Sequence, residues 1–183
     1  MKLTLCILSL PFLLLSCKSS STGPLTEGQS ITAKERNAAL TSYVDSYHAG
    51  LRLLSLSADS VDMHGKAPKW ECCFVDTSNV AHRLYYFHVT SIDISFDSTT
   101  PPLIGPSVIT GAWFDSDSAM TFAQSYGGSA YITKYPGTKI SASLGQAIVP
   151  NASVTWGIYY LGTGGLLGFT IDAKTGALLG QTK

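Results

Sequence analysis

A pattern of apolar residues in the first half of the chain recurs 79 residues later. The first set has the spacing i, i+3, i+4 and i+7 of one helical face: Leu40, Tyr43, Val44 and Tyr47. The second set keeps that spacing: Ala119, Phe122, Ala123 and Tyr126. Self-similarity at a long, fixed offset predicts that the chain contains two similar folded units, at 30–98 and 111–183.

Both predicted helices have recognisable ends. Thr32 and Glu35 form a capping box, in which each side chain accepts a hydrogen bond from the backbone N–H of the other residue. Gly50 supplies a left-handed stop. The second helix has a cap and a terminating pair of its own: Asp115 or Ser116, and then Gly127 with Gly128.

Short runs with the composition of β-strands follow each helix. They lie at 51–57, 70–75 and 84–94 in the first half, and at 130–135, 154–161 and 166–171 in the second, with a further strand at 107–114. Trp70 and Trp156 open corresponding strands. The predicted fold class is therefore α+β, with two tandem units, each a helix packed on a three- to four-stranded antiparallel sheet.

The first residues have the layout of a secretory leader, with one lysine before a short apolar run. The run ends in Leu14-Leu15-Ser16-Cys17, which resembles the lipobox of bacterial lipoproteins. The resemblance implies that residues 1–16 are removed and that Cys17 carries acyl chains, palmitate among them, which anchor the protein in a lipid bilayer. The alternative is an ordinary secretion signal with an incidental cysteine. Residues 17–29, rich in Ser, Thr and Gly, read as a flexible tether.

A hairpin signal lies near the end of the second half of the chain. After a helix that ends in Gly-Gly and a strand led by Trp156, the chain reads Asp172-Ala173-Lys174-Thr175-Gly176, a hairpin signal. Together these features resemble the PepSY or PepSY-like domain over residues 111–183. Residues 30–98 keep the helix and Trp70 as a degenerate first repeat, and 99–110 read as a linker. The resemblance implies an exported, non-catalytic module that binds or restrains a peptidase.

The chain offers little for catalysis or for binding nucleic acid. Charged residues make up only 13%, with 12 basic against 12 acidic groups, so no basic surface for phosphates is expected. His82 and His88 would lie about 20 Å apart on one strand, and His48 and His64 lie elsewhere in the sequence. Cys72 and Cys73 are adjacent on one strand and point to opposite faces, so Cys72 fits a small core residue better than a vicinal disulfide or a zinc site fits the pair. We therefore expect no enzyme activity, no metal and no cofactor.

Alternation along the strands predicts where a partner would bind. If the tryptophans face the helices, the opposite sheet face carries Glu71, Cys73, Tyr86, His88, Tyr159 and Thr170. We expect Tyr86 and Tyr159 to anchor a protein or peptide there, unless the other repeat, the tether or solvent covers this face. The predicted function is a lipid-anchored binding module of the bacterial envelope, at the outer membrane or cell surface. The alternative is a structural lipoprotein that assembles with other membrane proteins.

Overall fold

The computed structural model describes residues 29–47, 50–78, 84–89, 94–99, 107–146 and 152–183. Cys17, His48 and His82 lie outside these ranges. The first helix, α1, spans Ala33–Tyr47 and is followed by the strands β1 (Leu51–Ala58), β2 (Trp70–Asp76), β3 (Leu84–Val89) and β4 (Ile94–Thr99). Next come α2 (Ser116–Ala123), a π-helical segment (Gln124–Gly128), α3 (Ser129–Lys134) and the strands β5 (Lys139–Gln146), β6 (Val154–Gly162), β7 (Gly165–Asp172) and β8 (Leu178–Thr182).

All eight strands belong to one antiparallel sheet, in the order β4-β3-β2-β1-β5-β6-β7-β8. The predicted α+β class holds, but the two separate sheets do not. The strands β1 and β5 pair directly, with Leu56 opposite Leu144 and Ala58 opposite Ala142. Both strands turn these residues toward the helices, so the core continues across the junction.

The ends of the helices follow the local chemistry of the sequence. The backbone N–H of Thr32 donates to the Glu35 carboxylate at 2.9 Å, and the N–H of Glu35 donates to the Thr32 hydroxyl at 3.4 Å, which completes the capping box. Asp115 caps α2 by accepting from the N–H of Ser116 at 2.7 Å. Because an N-terminal turn leaves backbone donors without helical partners, such caps define where each helix starts.

The segment after α2 corrects two expectations. Gly127 adopts a φ of 126° and kinks the helix, but the chain then resumes as α3 instead of ending. The strand expected at 130–135 is therefore helical. Its Tyr, Ile and Thr residues favour strands by composition, yet Tyr131 and Ile132 pack against the helix side of the core. Tertiary packing has overridden a weak local preference.

The strands differ from expectation in other places as well. The run expected at 84–94 is two strands, β3 and β4, and Thr99, the first residue of the expected linker at 99–110, is the last residue of β4. Residues 107–114, all within the described ranges, form no strand. Instead, the N–H of Ile109 donates to the Leu53 carbonyl at 2.8 Å. The strand β5 was not expected at all.

The hairpin signal at the end of the chain is confirmed. Gly176 has a φ of 78°, and its N–H donates to the Asp172 carbonyl at 2.9 Å. The Asp172 carboxylate accepts from the backbone N–H groups of Thr175 and Lys174. These bonds, the one from Thr175 foremost, hold the pKa of Asp172 below its ordinary value.

A cluster of aromatic side chains joins the helices to the sheet. Trp70 and Trp156 are both fully buried, and the indole N–H of Trp70 donates to the Ile31 carbonyl at 3.0 Å. The indole N–H of Trp156 donates to the Phe114 carbonyl, also at 3.0 Å. The prediction that both tryptophans are structural is thus consistent with their burial and bonding.

Candidate protein-binding surface

The sheet has one face under the helices and a second face, here called the open face, that turns away from them. The helix side of β2 and β6 carries the residues that alternation assigned to it: Trp70, Cys72, Phe74, Trp156, Ile158 and Tyr160. Burial of Tyr160 raises the pKa of its hydroxyl, which fits a core position. The alternate residues of these strands consequently belong to the open face.

Strand pairing brings three of the expected binding residues into one row across the sheet. Glu71 pairs with His88 on β3, and Thr170 lies on β7 in the same row. Between them the row continues through small residues: Ser57, Ser143 and Gly157. The side chain of His88 lies outside the described part of the structure. Glu71 and Thr170 are four strand spacings apart, or about 19 Å.

Tyr86 and Tyr159 are not brought together. They lie on β3 and β6, with β2, β1 and β5 between them. Four strand spacings amount to about 19 Å, before the offset along the strands is added. No single side chain of a partner can contact both tyrosines, so a partner that used both would have to extend across four strand spacings of the sheet.

The first half of the open face is partly covered. Cys73, Val75 and Leu84 form a small buried cluster, against which Tyr86 and Val108 pack. Cys73, expected on an open surface, is only 4% exposed, and it belongs to the buried cluster against which Val108 packs. Burial raises the pKa of the Cys73 thiol to about 11, although a hydrogen bond with the Tyr86 side chain acts in the opposite direction.

One of the expected binding residues, Tyr159, is accessible on the second half of the open face. Tyr159 is 37% exposed, and its ring lies across two glycines of the sheet. A Cβ atom on Gly157 would come within 2.9 Å of the ring atom Cε2, and one on Gly168 within 2.8 Å of Cδ1. These glycines let the ring lie flat, so the sheet holds a partly exposed tyrosine in one orientation.

Leucines extend this surface toward the β6–β7 turn. Leu161 pairs with Leu166 across the hairpin, and the two are 58% and 43% exposed. Lys139 pairs with Leu161 on its other side. These leucines were not predicted as surface residues, although a pair of apolar residues beside Gly162-Thr163-Gly164-Gly165 is a signal that could have indicated them.

The described residues offer little reactive chemistry. They contain no group of three or more His, Cys, Asp or Glu side chains placed to hold a metal ion. Cys72 and Cys73 are free thiols on opposite sheet faces, and burial raises the pKa of Cys72 to about 12. A hollow of about 240 Å³ lies beside Glu71, and one of about 360 Å³ lies between Phe122 and Thr175. Neither hollow reaches Tyr159.

Comparison with known proteins gives one informative likeness. The fold is similar to the crystal structure of a "putative lipoprotein" from Clostridium difficile 630, with a TM-score of 0.54 and 15% sequence identity. The match covers 80% of this chain and 91% of that chain, and shows a shared fold. No protein-family model matches the chain, and no curated protein matches it. The PepSY resemblance therefore stays a prediction. Within the described ranges, no helix is both long and apolar enough to cross a membrane.

Proposed function

We propose that this protein is a lipid-anchored, non-catalytic module of the bacterial envelope that binds another protein through the open face around Tyr159. The observation that carries the proposal is the ring of Tyr159, which is 37% exposed and lies on Gly157 and Gly168. A tyrosine held in place loses little side-chain entropy on binding, and it offers a large apolar area with a polar tip. Ser141 and Thr182 complete its row of the sheet, so long flexible side chains do not crowd it.

Flatness favours a protein over a small molecule at this surface. Small ligands bind in concave sites that enclose most of their surface, whereas the row through Ser143, Gly157 and Thr170 has short side chains and spans several strands. A standard protein interface buries about 800 Å² on each partner, which a sheet face of this width can supply. A peptidase is one class of partner, as the PepSY resemblance implies.

We also propose that the two halves are tandem repeats. Each half begins with helical structure, α1 in the first and α2 to α3 in the second, and continues with four antiparallel strands. In each half a tryptophan donates to the carbonyl two residues before its helix, at Ile31 or Phe114. Leu56 pairs with Leu144, and Ala58 pairs with Ala142. A twofold axis between β1 and β5 would exchange Leu56 with Ala142 and Ala58 with Leu144, so the pairing fits two strands that are equivalent in the two repeats. Such repeats give a broad sheet from a short sequence.

The anchor is proposed from the sequence Leu14-Leu15-Ser16-Cys17, which resembles a lipobox. The structural neighbour, described as a "putative lipoprotein", supports this part of the proposal. Two or more acyl chains make attachment stable, because each buried methylene contributes about 0.8 kcal/mol. Cys17→Ser should move the protein from the membrane fraction to the soluble fraction. A Cys17→Ser chain that is processed normally and stays in the membrane would remove the anchor from the proposal.

Capture of a partner from detergent-extracted membranes tests the binding function. We expect the wild-type chain to retain a protein that binds again, saturably, after purification. Tyr159→Ala should weaken that binding at least tenfold. Tyr43 is a matched control, because it is 38% exposed but lies on α1 in the other layer. Equal binding by the wild-type, Tyr159→Ala and Tyr43→Ala chains would reject this surface.

A further inference from the structure

The β6–β7 turn and its flanking residues, here called the tip, carry exposed leucines on one side and are contacted by two tyrosines on the other. On the open face, Leu161 and Leu166 are 58% and 43% exposed. On the helix side, the Tyr131 hydroxyl donates to the Gly165 carbonyl at 2.6 Å, and the Tyr135 ring packs where a Cβ of Gly164 would be. The tip is therefore held in place by α3, and its apolar side chains are displayed on a fixed support.

Lysines surround this tip. Lys139 pairs with Leu161, and the ammonium group of Lys134 lies 5.1 Å from the centre of the Tyr135 ring. Lys183 follows Thr182, which pairs with Gly168 just below the tip. The tip therefore combines leucine, tyrosine and lysine side chains. Protein segments that lie at the boundary between lipid headgroups and acyl chains are enriched in such residues.

The acidic residues Asp59, Asp62 and Glu71 are at the same end of the sheet but lie on β2 and on the loop after β1, to one side of the leucines. Asp59 and Asp62 are on the loop after β1, where the N–H of Val61 donates to the Ile140 carbonyl. The Asp62 carboxylate accepts from the backbone N–H groups of His64 and Lys66, at 2.8 and 2.9 Å. The charge closest to the leucines is thus positive, which complements acidic lipid headgroups.

The chain enters the fold at this end of the sheet. Successive strands are antiparallel, so the start of β2, the end of β1, the start of β5 and the β6–β7 turn share one end. Ile31 is bonded to Ala67, just before β2, by hydrogen bonds of 3.1 and 3.0 Å. Twelve peptide units separate Cys17 from Gln29, so an acylated Cys17 lies within about 40 Å of this end.

We propose that the tip formed by Leu161, Leu166 and their neighbouring lysines rests on a phospholipid surface that carries acidic headgroups. This inference rests on the proposed acylation of Cys17, which keeps the tip close to the bilayer. Contact at the tip fixes the orientation of the sheet, because the anchor and the tip then meet the membrane at the same end. The row that contains Tyr159 remains beside the membrane surface, where it can meet a membrane-associated partner.

The test places a fluorophore at each end of the sheet in the full, lipid-modified chain. Thr163→Cys labels the tip, and Lys174→Cys labels the exposed β7–β8 turn at the opposite end. The two native thiols of the folded domain are buried, so they compete little for the label. The chains are reconstituted into vesicles of phosphatidylethanolamine and phosphatidylglycerol that contain a headgroup-linked quencher.

We expect quenching at Thr163→Cys to exceed quenching at Lys174→Cys severalfold. Leu161→Ser with Leu166→Ser should abolish the difference, and phosphatidylcholine vesicles or high salt should reduce it. Unchanged tryptophan fluorescence will show that the serine variant is folded.

Three outcomes would overturn the inference. Equal quenching at both labels in chains that float with the vesicles rejects the tip while leaving the anchor intact. A chain that does not float rejects the anchor, and the inference with it. A blue shift of the tip label that grows with protein concentration in detergent, without vesicles, assigns the tip to a second copy of the chain.

Discussion

The indole rings of Trp70 and Trp156 pack edge to face, with their centroids 6.3 Å apart, beneath the point where the two helices begin. The third tryptophan, Trp113, lies against Trp156 at 6.1 Å. The two halves of the chain therefore share one aromatic cluster. Loss of the ring of Trp70 or of Trp156 should therefore destabilise both halves.

Truncation of the central tryptophans should destabilise the whole domain. Trp70→Ala and Trp156→Ala should each lower the free energy of unfolding by about 3–5 kcal/mol, because each leaves a cavity in the core. Trp70→Phe keeps most of the packing and removes only the indole hydrogen bond, because the Ile31 carbonyl still accepts from the Ala67 N–H, so it should cost only about 0.5–1.5 kcal/mol. Chemical denaturation followed by circular dichroism measures both effects. Unfolding midpoints equal to that of the wild type would contradict the structural role.

The start of α1 should depend on a side chain of α2. The buried hydroxyl of Ser116 accepts from the N–H of Ala33 at 3.0 Å and donates to the Gly65 carbonyl at 2.6 Å. Ser116→Ala should cost about 1–3 kcal/mol, because two buried groups lose their partner. Ser118→Ala is the matched control, since that hydroxyl bonds only the neighbouring Asp117 in the described contacts, and it should change stability by less than about 0.5 kcal/mol. Similar losses in both variants would argue against the cap.

Alkaline pH should destabilise the fold through the buried thiols. Burial raises the pKa of Cys72 to about 12 and that of Cys73 to about 11, from an ordinary value of 9.0. Below pH 9 both thiols are neutral in the folded and unfolded chains, so their contribution is fully present. As the pH rises from 9 toward 11, only the unfolded chain ionises, and stability falls.

Valine substitutions isolate that contribution. Burial also raises the pKa of Tyr160, so this residue adds to the same decline. The free energy of unfolding, measured by chemical denaturation at several alkaline pH values, should therefore fall less steeply with pH for Cys72→Val with Cys73→Val than for the wild type. It should still fall. An identical pH dependence in the two chains would show that the thiols are not the source.

The orientation of Tyr159 should depend on the glycines beneath it. Gly168→Ala places a methyl group against the ring and should cost about 1–3 kcal/mol, as overpacking does. In a Tyr159→Ala chain the same substitution should cost much less, because the ring is gone. Gly145→Ala, on β5 of the same sheet, is the control, because no atom of the described residues lies within 4 Å of the new Cβ. Additive effects of Gly168→Ala and Tyr159→Ala would show that the two residues are not in contact.

Local signals in the sequence were sufficient for the helix start at Thr32 and Glu35 and for the hairpin at Asp172 and Gly176. They were insufficient for the single sheet. Leu56 and Leu144 are neighbours in the sheet but distant in sequence, and nothing in either segment specifies the other as its partner. The helix α3 was missed because Tyr131 and Ile132 have the composition of a strand and are placed by contacts with the core.

The candidate site was predictable only in part. Alternation assigned Glu71, Tyr86, Tyr159 and Thr170 to one face, because side chains of a strand point to alternating sides. Alternation cannot show what covers that face. Val108 packs against the buried cluster of Cys73, Val75 and Leu84, and this contact joins parts of the chain that are distant in sequence.

Photo-crosslinking in intact cells tests the central claim most directly. A photoreactive phenylalanine analogue replaces Tyr159 in one full-length chain and Tyr43, the matched tyrosine of the helix layer, in another. The account predicts a light-dependent adduct of defined mass between the membrane-bound protein and one partner at position 159, with none at position 43. The same adduct at both positions, or an adduct only at position 43, would contradict a binding surface on the open face.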